Sequence, residues 1–430
     1  MTLDEFGRHY RSTFASLVDS KIVVALSGGA DSVALLHLLH ATDTGLTLLA
    51  VHIHHRTRGL EADDDASFCE RLCAELSIPF VLHRLPRLHS GPEGREATWR
   101  RARYTALKEI ASNWGADAIA TGHQRDDVAE GVLVQLLRGA GPRAMAGIAA
   151  SQGELIRPLL PWSHLDLCTW LEEHNIRWRE DSSNRSTDHL RNQVRHELLP
   201  LLERSSPALR RHLVRFAAAL AADEEFMAGE LEDKNLWIDV WHPNGGVPLE
   251  ALRALAPALR VRWLHSQAAR SGIGRVTHRQ GEHLNELLAG DRSALTLARR
   301  WSLRRASDRL WLEPPILPPA FEFTLKPNQR ADLPLPGWTT VFRPVKNEPG
   351  ENGWYIPVPE NANPIVRSPQ AQDRLPNDQP VGSLFRRQLP RHLRNSWPIF
   401  VIDDKMMWVP GMGIDIGLTN GNWMIEVTRK

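Results

Sequence analysis

Two short stretches carry the residue types that chemistry on a phosphate would need. The first is Ser27-Gly28-Gly29-Ala30-Asp31-Ser32. Two adjacent glycines permit a tight turn that brings backbone close to a ligand. The amides of such a turn, and of a helix that follows it, point outward and can hold an anion. Ser27 and Ser32 add hydroxyl donors, and Asp31 could help hold a magnesium ion beside a phosphate. A turn that merely joined two elements would need neither the serines nor the aspartate. The stretch is not G-x-x-x-x-G-K-[ST], and it is not G-x-G-x-x-G, so it is neither a Walker loop nor a dinucleotide fingerprint.

The second stretch is Thr121-Gly122-His123-Gln124-Arg125-Asp126-Asp127-Val128-Ala129-Glu130. If Asp127 opens a helix, Glu130 lies one turn on and shares its face. A cation or an amine could sit between such carboxylates. Helix capping accounts for one acid well and for three poorly. Further on, Arg191 and Arg195 fall one helical turn apart and can form a fork for phosphates.

The surrounding pattern says what positions these residues. Residues 22–26 are a short apolar, β-branched run that reads as a buried parallel strand, and 33–39 reads as a helix packed on it. A second strand, 46–53, ends in His52-Ile53-His54-His55-Arg56-Thr57-Arg58-Gly59. The carboxyl end of a parallel strand lines the ligand crevice in such folds. Three histidines there could bind metal, but no carboxylate pattern completes a cage, and contact with a nucleotide is the better reading. A helix over 61–76, a strand over 80–84 and a long helix over 94–114 closed by Gly115 follow. That helix carries Arg95, Arg100, Arg101 and Arg103 beside Trp99 and Tyr104. A strand over 116–120 feeds the second stretch, whose helix runs to 137 and ends in a basic loop from Arg138 to Arg143. Residues 163–174 read as a helix capped by Ser163, with Asp166 as its box partner. An opening helix within 1–20 places Phe6, Tyr10, Phe14 and Leu17 on one face.

The fold class is therefore α/β, with a parallel-sheet nucleotide-binding domain over 1–215. Residues 216–319 read as a mainly helical domain, with helices at 208–226, 249–268 and 281–288 and weak strands at 294–297 and 309–312. Pro314, Pro315, Pro318 and Pro319 form a linker. Residues 320–430 read as a small α+β or mostly β domain, with strands at 338–342 and 354–358 and a hairpin of 399–402 with 406–409 around Asp403-Asp404. Its basic segment, Arg386, Arg387, Arg391, His392 and Arg394, offers phosphate contacts, with a solvated arginine helix as the rival reading.

Composition bounds the rest. A chain of 430 residues that is 42% hydrophobic can build two or three cores. No apolar run spans a bilayer, and Asp4, Glu5, Arg8 and Arg11 leave residues 1–20 without a signal-peptide core, so a cytoplasmic protein is expected. Cys69, Cys73 and Cys168 make no disulfide framework and no CxxC. The formal net charge is only +1, but arginine gathers at 95–103, 177–215, 253–309 and 386–394, which suits an enzyme that grips a large polyanion locally.

The turn SGGADS resembles the signature of the PP-loop ATP pyrophosphatases. Those enzymes hold the β,γ-pyrophosphate of ATP at this turn and transfer AMP to a substrate oxygen, after which a nitrogen or sulfur nucleophile attacks. Seven more pieces occur in order: VHIHHRTRG at 51–59, REATWRRARY at 95–104, TGHQRDDVAE at 121–130, LLRGAG at 136–141, RPLL at 157–160, WREDSSN at 178–184 and RNQVRHELLP at 191–200. Together they resemble the tRNA(Ile)-lysidine synthetase family in its long bacterial form.

The resemblance implies a ligase that acts on isoleucine tRNA with a CAU anticodon. ATP would adenylate C2–O of cytidine 34, and free L-lysine would then displace AMP. It implies ATP and Mg2+ as cofactors and a possible homodimer. Ser27, Gly28, Gly29, Ala30, Asp31, Ser32, His52 and Arg138 would contact ATP. Asp31 and Asp127 would hold Mg2+. Asp126, Asp127 and Glu130 are candidates for Mg2+ or the lysine ammonium, His123 for a base, and Arg191 and Arg195 for the pyrophosphate. Arg100, Arg103, Arg386, Arg387 and Arg391 would contact tRNA.

The chain departs from the family pattern at His54 and Arg56, and at Gln124, Val128 and Gly131, where histidine, glutamine and threonine are common. A 2-thiolating relative would use cysteines, and Cys69 and Cys73 lie in no candidate loop. An amidotransferase would need a nucleophilic cysteine, and none follows residue 168. A non-catalytic RNA-binding protein would have no use for both intact stretches.

Overall fold

The computed structural model describes residues 1–56, 60–86, 95–180, 190–345, 353–375, 378–403, 405–412, 414–415 and 422–429. Residues 57–59 and 181–184 of two quoted motifs, and Asp404 of the expected hairpin, lie outside the described residues, as does the side chain of Arg95. The chain divides into two units, Met1–Phe226 and Met227–Lys430.

The first unit is built on a six-stranded sheet. Its elements run α1 (Leu3–Thr13), β1 (Lys21–Ala25), α2 (Ala30–Ala41), β2 (Thr47–His54), α3 (Leu60–Glu75), β3 (Phe80–Arg84), α4 (Arg95–Trp114), β4 (Ala118–Ala120) and α5 (Arg125–Leu137). Then come α6 (Pro142–Met145), β5 (Ser151–Gln152), β6 (Leu155–Ile156), α7 (His164–Glu173), α8 (Leu190–Gln193), a π-helical turn Val194–Leu198, α9 (Leu199–Ser205) and the start of α10 (Leu209–Lys234), whose last residues belong to the second unit. The strand order is β3-β2-β1-β4-β6-β5, parallel throughout except for the β5–β6 pair.

Both faces of this sheet are covered, which is why its strands read as unbroken apolar runs. Ile22 and Val24 join Phe6, Tyr10, Leu35 and Leu167 in one core, while Val23 joins Leu49, Val51, Leu107 and Ile119 in another on the opposite face. The period of two along β1 thus splits its side chains between two layers. The chain leaves β1 toward β2 on one side and returns to β4 on the other. A crevice opens at the carboxyl ends of strands at such a switch point. The turn after β1 and the acid loop after β4 lie there, on strands that pair Val24 with Ala120.

The second unit has two cores. One packs α11 (Leu249–Ala254), α12 (Pro257–Arg270) and α13 (His278–Ala289) on the sheet β7-β10-β9-β8. These strands are β7 (Val247–Pro248), β8 (Ala294–Thr296), β9 (Ser302–Ala306) and β10 (Arg309–Glu313). The expected single helix over 249–268 is two, because Pro257 starts α12 while Leu255 and Ala256 are extended. The other core lies among nine strands and one helix. They are β11 (Glu322–Thr324), β12 (Arg330–Asp332), β13 (Trp338–Pro344), β14 (Gly353–Val358), β15 (Ile365–Arg367), α14 (Val381–Gln388), β16 (Ile399–Ile402), β17 (Lys405–Val409), β18 (Ile414–Asp415) and β19 (Trp423–Arg429). They form the sheets β11-β15-β16-β17-β18 and β12-β13-β19-β14. The expected pairing of 399–402 with 406–409 is present as antiparallel β16–β17. Among the described residues no helix is long and apolar enough to cross a membrane.

Candidate active site

The glycine turn is tied by its own side chains. Ser27 Oγ and Ser32 Oγ lie 3.0 Å apart, the Ser27 amide donates to Ser32 Oγ at 3.1 Å, and Ser32 Oγ donates to the Gly29 carbonyl at 3.0 Å. Gly28 adopts φ +92°, a conformation that a side chain would strain. Gly29 precedes α2 with no side-chain cap, so no side chain at that position blocks the first amides of the helix from a ligand. Such an uncapped start can receive an anion. Two struts stand behind the turn. His52, buried at the end of β2, donates Nδ1–H to the Leu26 carbonyl at 2.9 Å, and the Arg179 amide donates to the Gly28 carbonyl at 2.9 Å. The Arg179 side chain is in turn fixed on Asp65, with Nε 3.0 Å from Oδ1.

The acid loop meets this turn at Gly122. A Cβ there would stand 3.1 Å from both the Asp31 carbonyl carbon and the Ser32 nitrogen, so only glycine lets the two segments touch without a shift. The loop then enters α5 through a capping box. Gln124 accepts from the Asp126 amide at 2.6 Å, and Asp127 Oδ2 accepts from the Gln124 amide at 3.0 Å. Gln124, one of the departures from the family pattern, is thus the helix cap. Asp127 does double duty, because its other oxygen faces the arginines.

Asp127 Oδ1 accepts from Arg191 Nη2 at 2.7 Å, and Glu130 Oε2 accepts from Arg191 Nε at 3.0 Å. Arg195 donates Nε to Glu130 Oε1 at 2.5 Å and Nη2 to Oε2 at 2.9 Å. The π-helical turn carries Arg195 and packs on α5, which brings both guanidinium groups over the acid face. Burial pushes the Asp127 carboxyl up, against the pull of Arg191. Burial opposes the charge on Arg195 too, but its bonds to Glu130 hold the guanidinium above its ordinary value. The Glu130 side chain is only 1% exposed, so an unpaired charge there would be expensive. The expected fork pair and acid pair are therefore assembled together, each satisfying the other.

Asp126 stands apart from that cluster. Its Oδ2 accepts from the His164 amide at 2.9 Å, and its Oδ1 lies 3.4 Å from Arg210 Nη1 on α10. His123 lies among cations. Burial, then Arg157, Arg100, Arg191 and Arg103, lower its pKa to about 3, so the ring is neutral at physiological pH. Thr121 Oγ1 is 2.9 Å from its Nδ1. Arg138 is exposed at the end of α5. Arg100 and Arg103 lie over the Tyr104 ring at 5.0 and 5.5 Å. In the second unit Arg386, Arg387 and Arg391 are exposed, and Arg394 donates to the Leu389 and Arg386 carbonyls at 3.0 and 3.1 Å, which fixes the basic segment behind α14.

Three contributors were missed from the sequence. His164 opens α7 and donates Nδ1–H to Asp31 Oδ1 at 2.7 Å, and this bond raises its pKa. Arg157 is 4% exposed, donates to the Ala149 carbonyl at 2.6 Å, and adds to the field around His123. Arg210 joins Asp126 to Glu203. The capping box of Ser163 and Asp166 was the one local signal that fixed where His164 falls.

The donor set suits Mg2+ arriving with a nucleotide. That ion takes one or two carboxylates plus phosphate oxygens, in place of an all-protein cage. Asp31 offers a carboxylate at the rim of the turn, and among the described residues no group of three or more His, Cys, Asp or Glu side chains could hold a metal by itself. Sulfur chemistry has less support. Burial pushes the Cys69 and Cys73 thiols up to about 12, and a thiolate is the reactive form.

Comparison with known proteins identifies the family of the chain. Residues 3–202 match the family model described as a PP-loop domain. The chain is 37% identical over 325 residues to a tRNA(Ile)-lysidine synthase of Alkalilimnicola ehrlichii, covering 73% of this chain and 70% of that one. It is 32% identical to the tRNA(Ile)-lysidine synthase of Chromobacterium violaceum, covering 93% of each, and 30% identical to that of Solibacter usitatus, covering 94% and 96%. Among solved structures, the U34-tRNA thiolase NcsA from Methanococcus maripaludis matches at 21% identity and a TM-score of 0.43, covering 51% of this chain and 80% of that one.

Proposed function

The chain belongs to the tRNA(Ile)-lysidine synthase family, and from that membership we propose how its own residues divide the reaction. The protein is an ATP-dependent ligase that forms lysidine on tRNA(Ile). The observation that carries the assignment of residues is the pairing of an open donor turn after β1 with an acid cluster after β4, on neighbouring strands.

In this reading the 27–32 turn holds the β,γ-pyrophosphate of ATP. The C2 oxygen of cytidine 34 in the CAU anticodon attacks the α-phosphorus, the bond to pyrophosphate breaks, and AMP remains on the base. The lysine amine, having lost a proton, attacks C2, and AMP leaves with the oxygen. Mg2+ would be held by Asp31, with Asp127 an alternative ligand only where it does not serve the ammonium, and would supply charge neutralisation on the phosphates. The turn's donors stabilise the departing pyrophosphate. Asp127 and Glu130 bind the lysine ammonium, and Arg191 and Arg195 release them to do so. His123, neutral and poor at holding a proton, accepts a hydrogen bond more readily than it acts as a base. Arg138 and His52 line and support the nucleotide side.

A cytosine in a single-stranded loop leaves its stack at low cost. Arg100 and Arg103 on the first unit, and Arg386, Arg387 and Arg391 on the second, grip tRNA phosphates. The separate cores of the second unit support reading 216–319 and 320–430 as two modules beside a catalytic domain over 1–215. Assembly as a homodimer belongs to the same proposal and is read by light scattering.

The test is incubation with ATP, Mg2+, labelled lysine and a panel of unmodified tRNAs. Label fixed only on the CAU isoleucine tRNA, with AMP and pyrophosphate released, is the expected result. Pyrophosphate release with no lysine transfer would break the assignment of the 121–130 loop.

A further inference from the structure

We propose that His164 is a positioning residue for the nucleotide half of the site: it draws the Asp31 carboxylate away from the mouth of the glycine turn and fixes it at the rim. The inference rests on the reading that this turn holds ATP.

Asp31 lies in the first turn of α2, whose start has no side-chain cap and is the proposed anion receptor. A carboxylate in a helix's first turn is itself attracted to the amide donors there. Left free, Asp31 would turn onto those donors, where it competes with the pyrophosphate and is lost to Mg2+ at the rim. It is not left free. His164 Nδ1–H donates to its Oδ1 at 2.7 Å, a charge-assisted contact at the short end of the usual range.

The imidazole is held on its other edge as well. Cys168 Sγ lies 3.5 Å from Nε2, one helical turn along α7, and burial keeps that thiol protonated by pushing it up to about 11. A thiol that donates to Nε2 leaves the proton on Nδ1, where Asp31 needs it. The His164 backbone is fixed independently. Its amide donates to Asp126 Oδ2 at 2.9 Å, and the start of α7 is set by the Ser163–Asp166 box and by Arg125, whose amide donates to the Trp162 carbonyl at 2.7 Å. One residue thus touches an acid from each half of the site, with its side chain on Asp31 and its backbone on Asp126.

The experiment is calorimetric binding of ATP, in Mg2+, to the full-length protein and to His164→Ala, His164→Asn and His164→Gln. The amide nitrogen of Asn reaches the place of Nδ1 and can still donate to Asp31, whereas that of Gln reaches the place of Nε2. All three variants keep the backbone bond to Asp126. Loss of one charge-assisted bond should weaken ATP binding about tenfold in the Ala and Gln variants. The Asn variant should stay within about twofold of the parent, and the KM for lysine should hardly move in any of them. An Asn variant as weak as the Ala variant overturns the proposal, and so does an Ala variant that binds ATP like the parent. A parent protein that binds no ATP removes the reading beneath it instead.

Discussion

The two halves of the site lie on adjacent strands and are built by opposite means. After β1, the turn's internal bonds lie within six residues, among two serine hydroxyls and a glycine carbonyl, with His52 and Arg179 as braces from outside. After β4, Asp127 and Glu130 are held by arginines 61 to 68 residues further along the chain. The first half presents donors that await an anion. The second is already neutral, two acids against two arginines. A receptor of the first kind binds by filling a vacancy. A receptor of the second kind binds by exchange, because each of its charges must change partner. In the proposed reading, the difference separates a preorganised nucleotide site from an amine site that opens only to a ligand able to replace what it displaces.

The largest test of this contrast is Arg195→Ala. It leaves the Glu130 carboxylate, 1% exposed, with Arg191 as its remaining partner. Breaking a buried pair from one side costs about 3–5 kcal/mol, and the surviving arginine should bring the loss to the low end, read from urea unfolding. A loss below about 1 kcal/mol would mean that the cluster is not held by its ion pairs. Next is Gly28→Ala. A Cβ would meet Cys69 Sγ at 3.4 Å, an ordinary contact, so the cost comes from φ +92° alone. About 1–2 kcal/mol of backbone strain should weaken ATP binding roughly tenfold while leaving the ion cluster's contribution to unfolding unchanged.

Gly122→Ala probes the seam between the halves. A methyl 3.1 Å from the first turn of α2 must push it by a few tenths of an ångström, and a few-fold fall in kcat with little change in unfolding is expected. The smallest effect is on His123. Its folded pKa, about 3, lies below the ordinary 6.5, so its contribution to stability is full above pH 6.5 and is lost as pH falls toward 3. An imidazole followed by NMR should show no titration near neutrality, and the acid limb of lysine transfer should not report this ring.

The contrast also explains what the sequence made legible. The turn could be read from its residues because the bonds that shape it internally are local, and the strand–turn–helix order around it follows from periodicity. The capping of α7 by Ser163 and Asp166 was equally readable, being a contact between residues three apart. The ion cluster could not be read as one object. Acid and arginine spacing each pointed to a substrate group, and nothing local says that residues 127 and 191 face one another. His164 was invisible for the same reason, since its partner Asp31 is 133 residues away. Gln124 read as a lapse from the expected pattern, yet an amide oxygen in that position caps α5.

The neutral cluster behaves like a double decomposition between two salts. If lysine binds here as proposed, it arrives with a carboxylate as well as ammonium groups. It can hand the carboxylate to a guanidinium, each about a third exposed, while an ammonium takes the acid that guanidinium gives up. Ion pairs are then conserved through the trade. Cadaverine, the same diamine without the carboxylate, offers only half of it and strands an arginine, so this site should refuse it by charge count before any question of size arises.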